Sequence, residues 1–234
     1  MEILIKNFKV LEDQNLFKNE MIVFFNNKEF APLYVTKNIK DILGYTQKQF
    51  LGWGKDALLN IGAFEQMDFW KDLMIWQRDF LELELKPVDA PFIFRAFLGG
   101  YCYKHKDGTR KKFLFRTEHP IRENNAFPDY HFARLEDIDH LFKKDDYWLY
   151  YEKSNGIHKV SKFYSKNGIY NSPLTKREQE ILKLIMTGME TKEIAEKLFI
   201  SCDTVLKHRK NMVKRLNAKN IASVIQLCKL CGII

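Results

Sequence analysis

The aromatic residues stop abruptly. Of 19 Phe, 10 Tyr and 4 Trp in this 234-residue chain, only Phe199 lies beyond Tyr170. A single domain draws its large side chains from along its whole length, so a break of this kind marks a domain boundary. Charge divides along the same line: residues 171–234 hold 12 Lys+Arg against 6 Asp+Glu, and residues 1–170 hold 26 against 24. Most of the net charge of +8 therefore sits in the smaller part. A compact basic unit commonly meets a polyanion, nucleic acid above all, although a merely solvated Lys-rich surface has the same composition.

No run approaches the 18 or more apolar residues of a membrane span, and the start MEILIKNFKVLEDQ lacks the apolar core of a signal peptide, so a cytoplasmic protein is expected. The four cysteines, Cys102, Cys202, Cys228 and Cys231, are too few and too scattered for a disulfide framework. Cys228-x-x-Cys231 has redox or zinc spacing, but no second pair or local His accompanies it, and the expectation is structural thiols with no metal.

Residues 153–173, KSNGIHKVSKFYSKNGIYNSP, carry four Lys and no acid, with Asn-Gly twice and Ser-Pro at the end, and read as a basic linker over 151–171. That divides the chain into 1–150, the linker, and 172–234. In the first part, β-rich runs at 21–25 and 32–36 precede helical stretches around NIKDILGY and TQKQFL, and a longer helix is expected over roughly 64–82. Asp107-Gly108 between alternating runs signals a hairpin with a type I′ turn, with Phe113, Phe115 and Thr117 on one face and Leu114 and Arg116 on the other. YHFARLEDIDHLF supplies a further strand. The expected fold is α+β: an antiparallel sheet with helices on one face, followed by an all-α unit.

The last part reads as four helices: LTKREQEILKLIMTG, METKEIAEKLFI, SCDTVLKHRKNMVKRL and NAKNIASVIQLCKLCGII. Gly188 supplies a stop after the first, and Ser201 a cap for the third. On a wheel at ~100° per residue, Val205, Met212 and Leu216 of the third fall within about 20° of one direction. Lys207, Lys210 and Lys214 fall within about 40° of the opposite direction, with Asp203 and Asn211 nearby. A helix ~10–12 Å across fits the major groove of B-DNA, so such a face reaches base edges and phosphates together. An ordinary amphipathic helix with a solvated Lys face has the same spacing.

The surrounding residues resemble the LuxR/GerE family of helix-turn-helix regulators, with the helix-turn-helix at about 191–210. Leu174, Thr175, Arg177, Glu178 and Glu180-Ile181-Leu182 match its opening; Gly188, Lys192-Glu193-Ile194-Ala195 and Leu198 match its second helix; Ser201, Thr204-Val205, His208, Asn211 and Leu216 match its recognition helix. The resemblance implies base-edge contacts from Lys207 and Lys210, and phosphate contacts from Thr204, Asn211, Lys214 and Lys192, with Ser201 and His208 completing the candidate DNA surface. One position departs from the family: Leu206 stands where Lys usually follows Thr-Val, leaving either an apolar contact to a thymine methyl or packing beside the core. The fourth helix, the family's usual dimer contact, carries Ile221, Val224, Ile225 and Cys228 at i, i+3, i+4, i+7, a stripe that equally closes a four-helix core. The resemblance thus implies a homodimer on two-fold-related half-sites of double-stranded DNA, and allows RNA polymerase as a further partner.

NIKDILGYTQKQFLG and YCYKHKDGTRKKFLF resemble the helical segment and hairpin of PAS domains, and LEDIDHLF their closing Asp-Ile-Thr, with Asp139 in place of the Thr. This implies a small sensory or dimerising domain. No cofactor is expected: the first His is His105, outside the helical segment where haem ligation needs one, and the first Cys is Cys102, on an expected strand rather than the helix that photoactive flavin chemistry uses. Tyr101, Tyr103, Phe113, Phe115 and Phe132 are candidates to line a pocket for a small apolar ligand, or are plain core. The tip KHKDGTRKK is either a solvated hairpin or a cationic contact. The leading reading is a one-component transcription regulator; a kinase-fed response regulator and an acyl-homoserine-lactone receptor of the same family are the alternatives. No phosphate loop, nucleophile elbow or metal cluster points to an enzyme.

Overall fold

The computed structural model describes residues 20–26, 28–29, 31–62, 92–121, 130–143, 146–154 and 159–234, with Lys6, Glu12, Asp72, Ile75 and Trp76. The runs rich in β-branched and aromatic residues form β1 (Glu20–Asn26) and β2 (Ala31–Val35), joined to three short helices, α1 (Ile39–Leu43), α2 (Gln47–Gly52) and α3 (Ala57–Ile61). Then follow β3 (Phe92–Lys104), β4 (Arg110–Ile121) and β5 (Tyr130–Asp137). The helix expected over 64–82 lies outside the described residues, apart from Asp72, Ile75 and Trp76, which are helical.

The stretch read as a linker is instead part of the sheet. It contributes most of β6 (Trp148–Ser154), then β7 (Lys159–Ser165) and β8 (Gly168–Tyr170). The sheet runs β2-β1-β5-β4-β3-β6-β7-β8, and every pairing in it is antiparallel. Its Asn-Gly dipeptides and missing acids suit hairpin ends as well as linkers. The first unit therefore reaches Tyr170, where the aromatics end, rather than residue 150. The α+β architecture is as expected, and none of the described helices is long and apolar enough to cross a membrane.

The β3–β4 hairpin forms at Asp107-Gly108, but not through a type I′ turn. Of the two, Gly108 alone has a left-handed φ, of 92°. Its N–H donates to the His105 carbonyl at 2.9 Å, and Asp107 accepts from the Thr109 N–H at 2.8 Å and hydroxyl at 2.7 Å. Those hydrogen bonds hold the Asp107 carboxyl down at about 2. A local side-chain acceptor and a longer loop thus replace the two positive φ values. The tip is solvent-exposed, with Lys111 and Lys112 turned to Asp137 and Asp139.

Alternation along the strands sends neighbouring residues into two cores. Leu98, Phe113, Leu149, Tyr151 and Tyr164 join Ile39, Leu43, Phe50 and Ile61 of α1–α3 on the inner face. Phe97, Leu114, Trp148, Tyr150 and Phe163 point the other way. This part of the outer face is not solvated: it shares one apolar cluster with Leu174, Ile181, Ile194, Val205, Met212, Leu216 and Leu227 of the C-terminal unit. The sheet is thus the middle layer of three. The expected split of Phe113 and Phe115 from Leu114 and Arg116 holds, since Arg116 reaches the helical unit at the Leu230 carbonyl, 3.2 Å away.

The tightest point of the outer face is Gly99, at a register shift in β3. A Cβ there would come within 2.3 Å of the Trp148 indole, which itself donates to the Leu216 carbonyl at 3.2 Å. Gly99→Ala is expected to lower stability by roughly 1–3 kcal/mol, as overpacking does. A urea melt checks this, and an unchanged midpoint would mean that the ring does not press on the strand.

Candidate nucleic-acid interface

Four helices follow the sheet: α4 (Lys176–Met186), α5 (Thr191–Leu198), α6 (Cys202–Arg215) and α7 (Ile221–Leu230). Side chains at their starts explain where they begin. Thr175 and Glu178 form a reciprocal capping box on α4, Ser201 accepts from the Thr204 N–H at 3.1 Å on α6, and Asn220 accepts from the Ser223 N–H at 2.9 Å on α7. The turn between α5 and α6 places Phe199 at φ 55°, almost fully exposed.

Glu178 has a second task. Its carboxylate takes both terminal nitrogens of Arg215, at 2.5 and 3.2 Å, in a pair that is nearly solvent-free. Arg215 also donates to the Pro173 carbonyl at 3.0 Å and lies 4.9 Å over the Tyr170 ring. The start of α4 is thereby tied to the end of α6, which fixes the tilt of α6. Arg209 adds a second tie, donating to Thr191 Oγ1 at the start of α5 at 3.1 Å. Sequence reasoning missed both arginines. Arg209 lies only about 40° from the core direction on the helical wheel, and that position is the signal for a cation needing an internal partner.

On α6 the two faces separate as the spacing predicts. Val205, Met212 and Leu216 are buried in the helical core. Lys207, Lys210, Asn211 and Lys214 are exposed together on the opposite side. Lys192, in the first turn of α5, is exposed too, where the helix N-terminus favours anions. Thr204 and His208 lie half-buried on the flanks. Ser201 is exposed, and its hydroxyl serves as the cap and meets the Thr204 hydroxyl at 2.8 Å.

Other candidates fall differently. Val224 and Cys228 are wholly buried in the chain's own core, so these two cannot present a dimer surface; Ile221 and Ile225 are half-exposed. The stripe at helical spacing closed the four-helix core first. Tyr101, Tyr103, Phe113 and Phe115 do gather on the inner face, with Tyr101 and Tyr103 edge to face at 4.6 Å. Burial pushes both phenols up, keeping them neutral. Phe132 does not join them. It neighbours Ala133, which faces inward, and so points to the other side of the sheet, stacked on Phe24 at 4.5 Å. Cys228 and Cys231 lie in the helical core, where burial pushes the Cys228 thiol up to about 12 and Cys231 well above its usual range. Protonated, desolvated thiols behave as small hydrophobes. Among the described residues no cluster of His, Cys, Asp and Glu could hold a metal ion.

Side chains of the sheet unit reach carbonyls at the ends of α6 and α7. Besides Trp148 on Leu216, Asn167 Nδ2 lies 3.5 Å from the Lys214 carbonyl, and Arg116 meets Leu230. Backbone bonds Lys143 N–H to Asn217 and Lys219 N–H to Leu141, at 2.9 and 2.8 Å, close the seam. The cationic face of α6 points away from this seam. Replacing Glu178 by Ala leaves Arg215 unpaired in the interior and is expected to cost about 3 kcal/mol or more. Thermal denaturation of the purified variant measures it, and a loss under about 1 kcal/mol would place the pair with ordinary surface bridges.

Comparison with known proteins places these geometric features in context. The family model described as bacterial regulatory proteins, luxR family, matches residues 172–228. Response regulatory protein YgeK of Escherichia coli K12 is 31% identical over 120 residues, 51% of this chain and 70% of that protein. Oxygen regulatory protein NreC of Staphylococcus carnosus is 47% identical over 53 residues, 23% of this chain and 24% of its own length. Transcriptional regulatory protein MctR of Rhizobium johnstonii is 44% identical over 64 residues, 27% of this chain and 30% of its length. The chain thus spans less than a third of NreC and MctR. Among solved structures, the dimer of the LuxR-type receptor VqmA of Vibrio cholerae is 14% identical with a TM-score of 0.29, covering 96% of this chain and 86% of that one. Escherichia coli SdiA is 15% identical, also with a TM-score of 0.29, covering all of this chain and 91% of that one.

Proposed function

Since the chain belongs to the luxR family of bacterial regulatory proteins, we propose that it is a one-component transcription regulator, with α6 as recognition helix and the sheet unit as a PAS-like sensory domain. The observation that carries the DNA-binding half is the exposed row of Lys207, Lys210, Asn211 and Lys214, set opposite the buried Val205, Met212 and Leu216. Lys207 and Lys210 reach base edges. Lys214, Asn211, Thr204 and Lys192 hold phosphates, and that part of the affinity falls with salt through counterion release.

Two strands, three short helices and a further antiparallel hairpin and strand on one sheet support the PAS-like reading. A receiver domain needs a parallel sheet built of βα repeats, whereas every described pairing is antiparallel, which favours a one-component protein over a kinase-fed one. A small apolar ligand would sit on the inner face, between Tyr101, Tyr103, Phe113 and Phe115 and the short helices. Its occupancy would reach DNA through the outer face, where Trp148 and Arg116 hold the ends of α6 and α7. The working form is a cytoplasmic homodimer on two-fold-related half-sites, with RNA polymerase as a further partner.

Fluorescence anisotropy on a duplex enriched from a random pool tests the α6 assignment. Lys210→Ala should weaken binding to the enriched site by about 1–3 kcal/mol and spare random DNA. Lys214→Ala should weaken both and reduce the salt slope by about 1. Unchanged affinity in both variants would remove α6 from the interface.

A further inference from the structure

Leu206 is half-exposed, at 51%, on the helix that carries the cationic face. The other large apolar side chains of α6 are accounted for by the core: Val205 and Met212 are fully buried, and Val213 is partly buried against the same cluster. Leu206 belongs to neither group of residues on α6, core or cationic. On the wheel it falls between Arg209 and Lys210, about 60° from the first and 40° from the second. Arg209 turns back to Thr191 at the start of α5, so this flank of α6 faces the α5 N-terminus, where Lys192 is exposed. A duplex that touches Lys192 with a phosphate and Lys210 with a base edge must therefore pass across Leu206.

What an apolar side chain finds there is set by the groove. Donors and acceptors line the major-groove edges of all four base pairs, and the C5-methyl of thymine is the apolar feature among them. Cys202 and Asp203, one turn earlier on α6, are also exposed, so the space above Leu206 on the same flank is open to the DNA. We propose that Leu206 is a specificity residue that reads one thymine through its methyl group, beside the base pair met by Lys210. The inference rests on α6 being the recognition helix, and it adds a named base to that assignment.

The test uses the full chain and a duplex enriched from a random pool, with each thymidine replaced in turn by deoxyuridine, which lacks only the methyl. At one position the replacement should weaken the wild type about three- to fivefold, the worth of one buried methyl. L206A should be indifferent at that position, and its affinity for the thymidine duplex should equal that of the wild type for the deoxyuridine duplex. An unchanged melting temperature for L206A shows that the loss is local. A wild type indifferent to every replacement, or an L206A that keeps the sensitivity, overturns the proposal while leaving sequence-specific binding intact. A pool that yields no preferred sequence overturns the recognition-helix reading, and this one with it.

Discussion

The rest of the structure follows from the middle of the sheet's outer face, which the C-terminal helices close to water. Phe97, Leu114, Trp148, Tyr150 and Phe163 have the C-terminal helices as their cover, and the helices have the sheet as theirs. Side chains of both units thus form one contiguous apolar cluster. The polar groups at the seam agree with the apolar ones, because the Leu216 and Leu230 carbonyls, at the ends of α6 and α7, meet Trp148 and Arg116. The Trp148–Leu216 bond is buried, and leaving its carbonyl without a partner inside the fold would cost about 1–3 kcal/mol.

Within the helical unit, orientation is set by ion pairing where apolar packing alone would tolerate sliding. Glu178 caps α4 and holds Arg215 at the far end of α6, and the pair is too desolvated for one partner to be lost cheaply. Arg209 ties the middle of α6 to the start of α5. With its middle and its far end referred to neighbouring helices, α6 keeps its exposed lysines in a fixed relation to Lys192. A recognition surface needs that rigidity, since base-edge hydrogen bonds tolerate little misalignment.

The helical unit was legible because its signals are local. The Gly188 stop and the Ser201 cap sit next to the turns they close, and a 3.6-residue period sorts Val205 and Met212 from Lys207 and Lys210 without knowledge of anything distant. The strands after residue 147 were not legible, for a reason visible in β6. All its residues from Trp148 to Lys153 are buried, so the polar-apolar alternation that announces a half-solvated strand is missing. Burial on both faces depends on the helices that arrive later in the chain, and no short window contains them. Phe132 and Cys228 failed likewise: each sits in a plausible pattern, but which side of the pattern meets solvent was decided by packing elsewhere. The ion pair between Glu178 and Arg215 was hidden by distance along the chain.

The central claim is that DNA meets the face of α6 turned away from the sheet. Acetylation of lysines in the full chain, with and without the enriched duplex and followed by mass spectrometry, tests it most directly. Lys207, Lys210, Lys214 and Lys192 should lose reactivity in the complex, while exposed Lys55, beside α3, and Lys229, on α7, should react as before. Protection of Lys55 or Lys229 with Lys207 and Lys210 still reactive would place the DNA on another surface and contradict it.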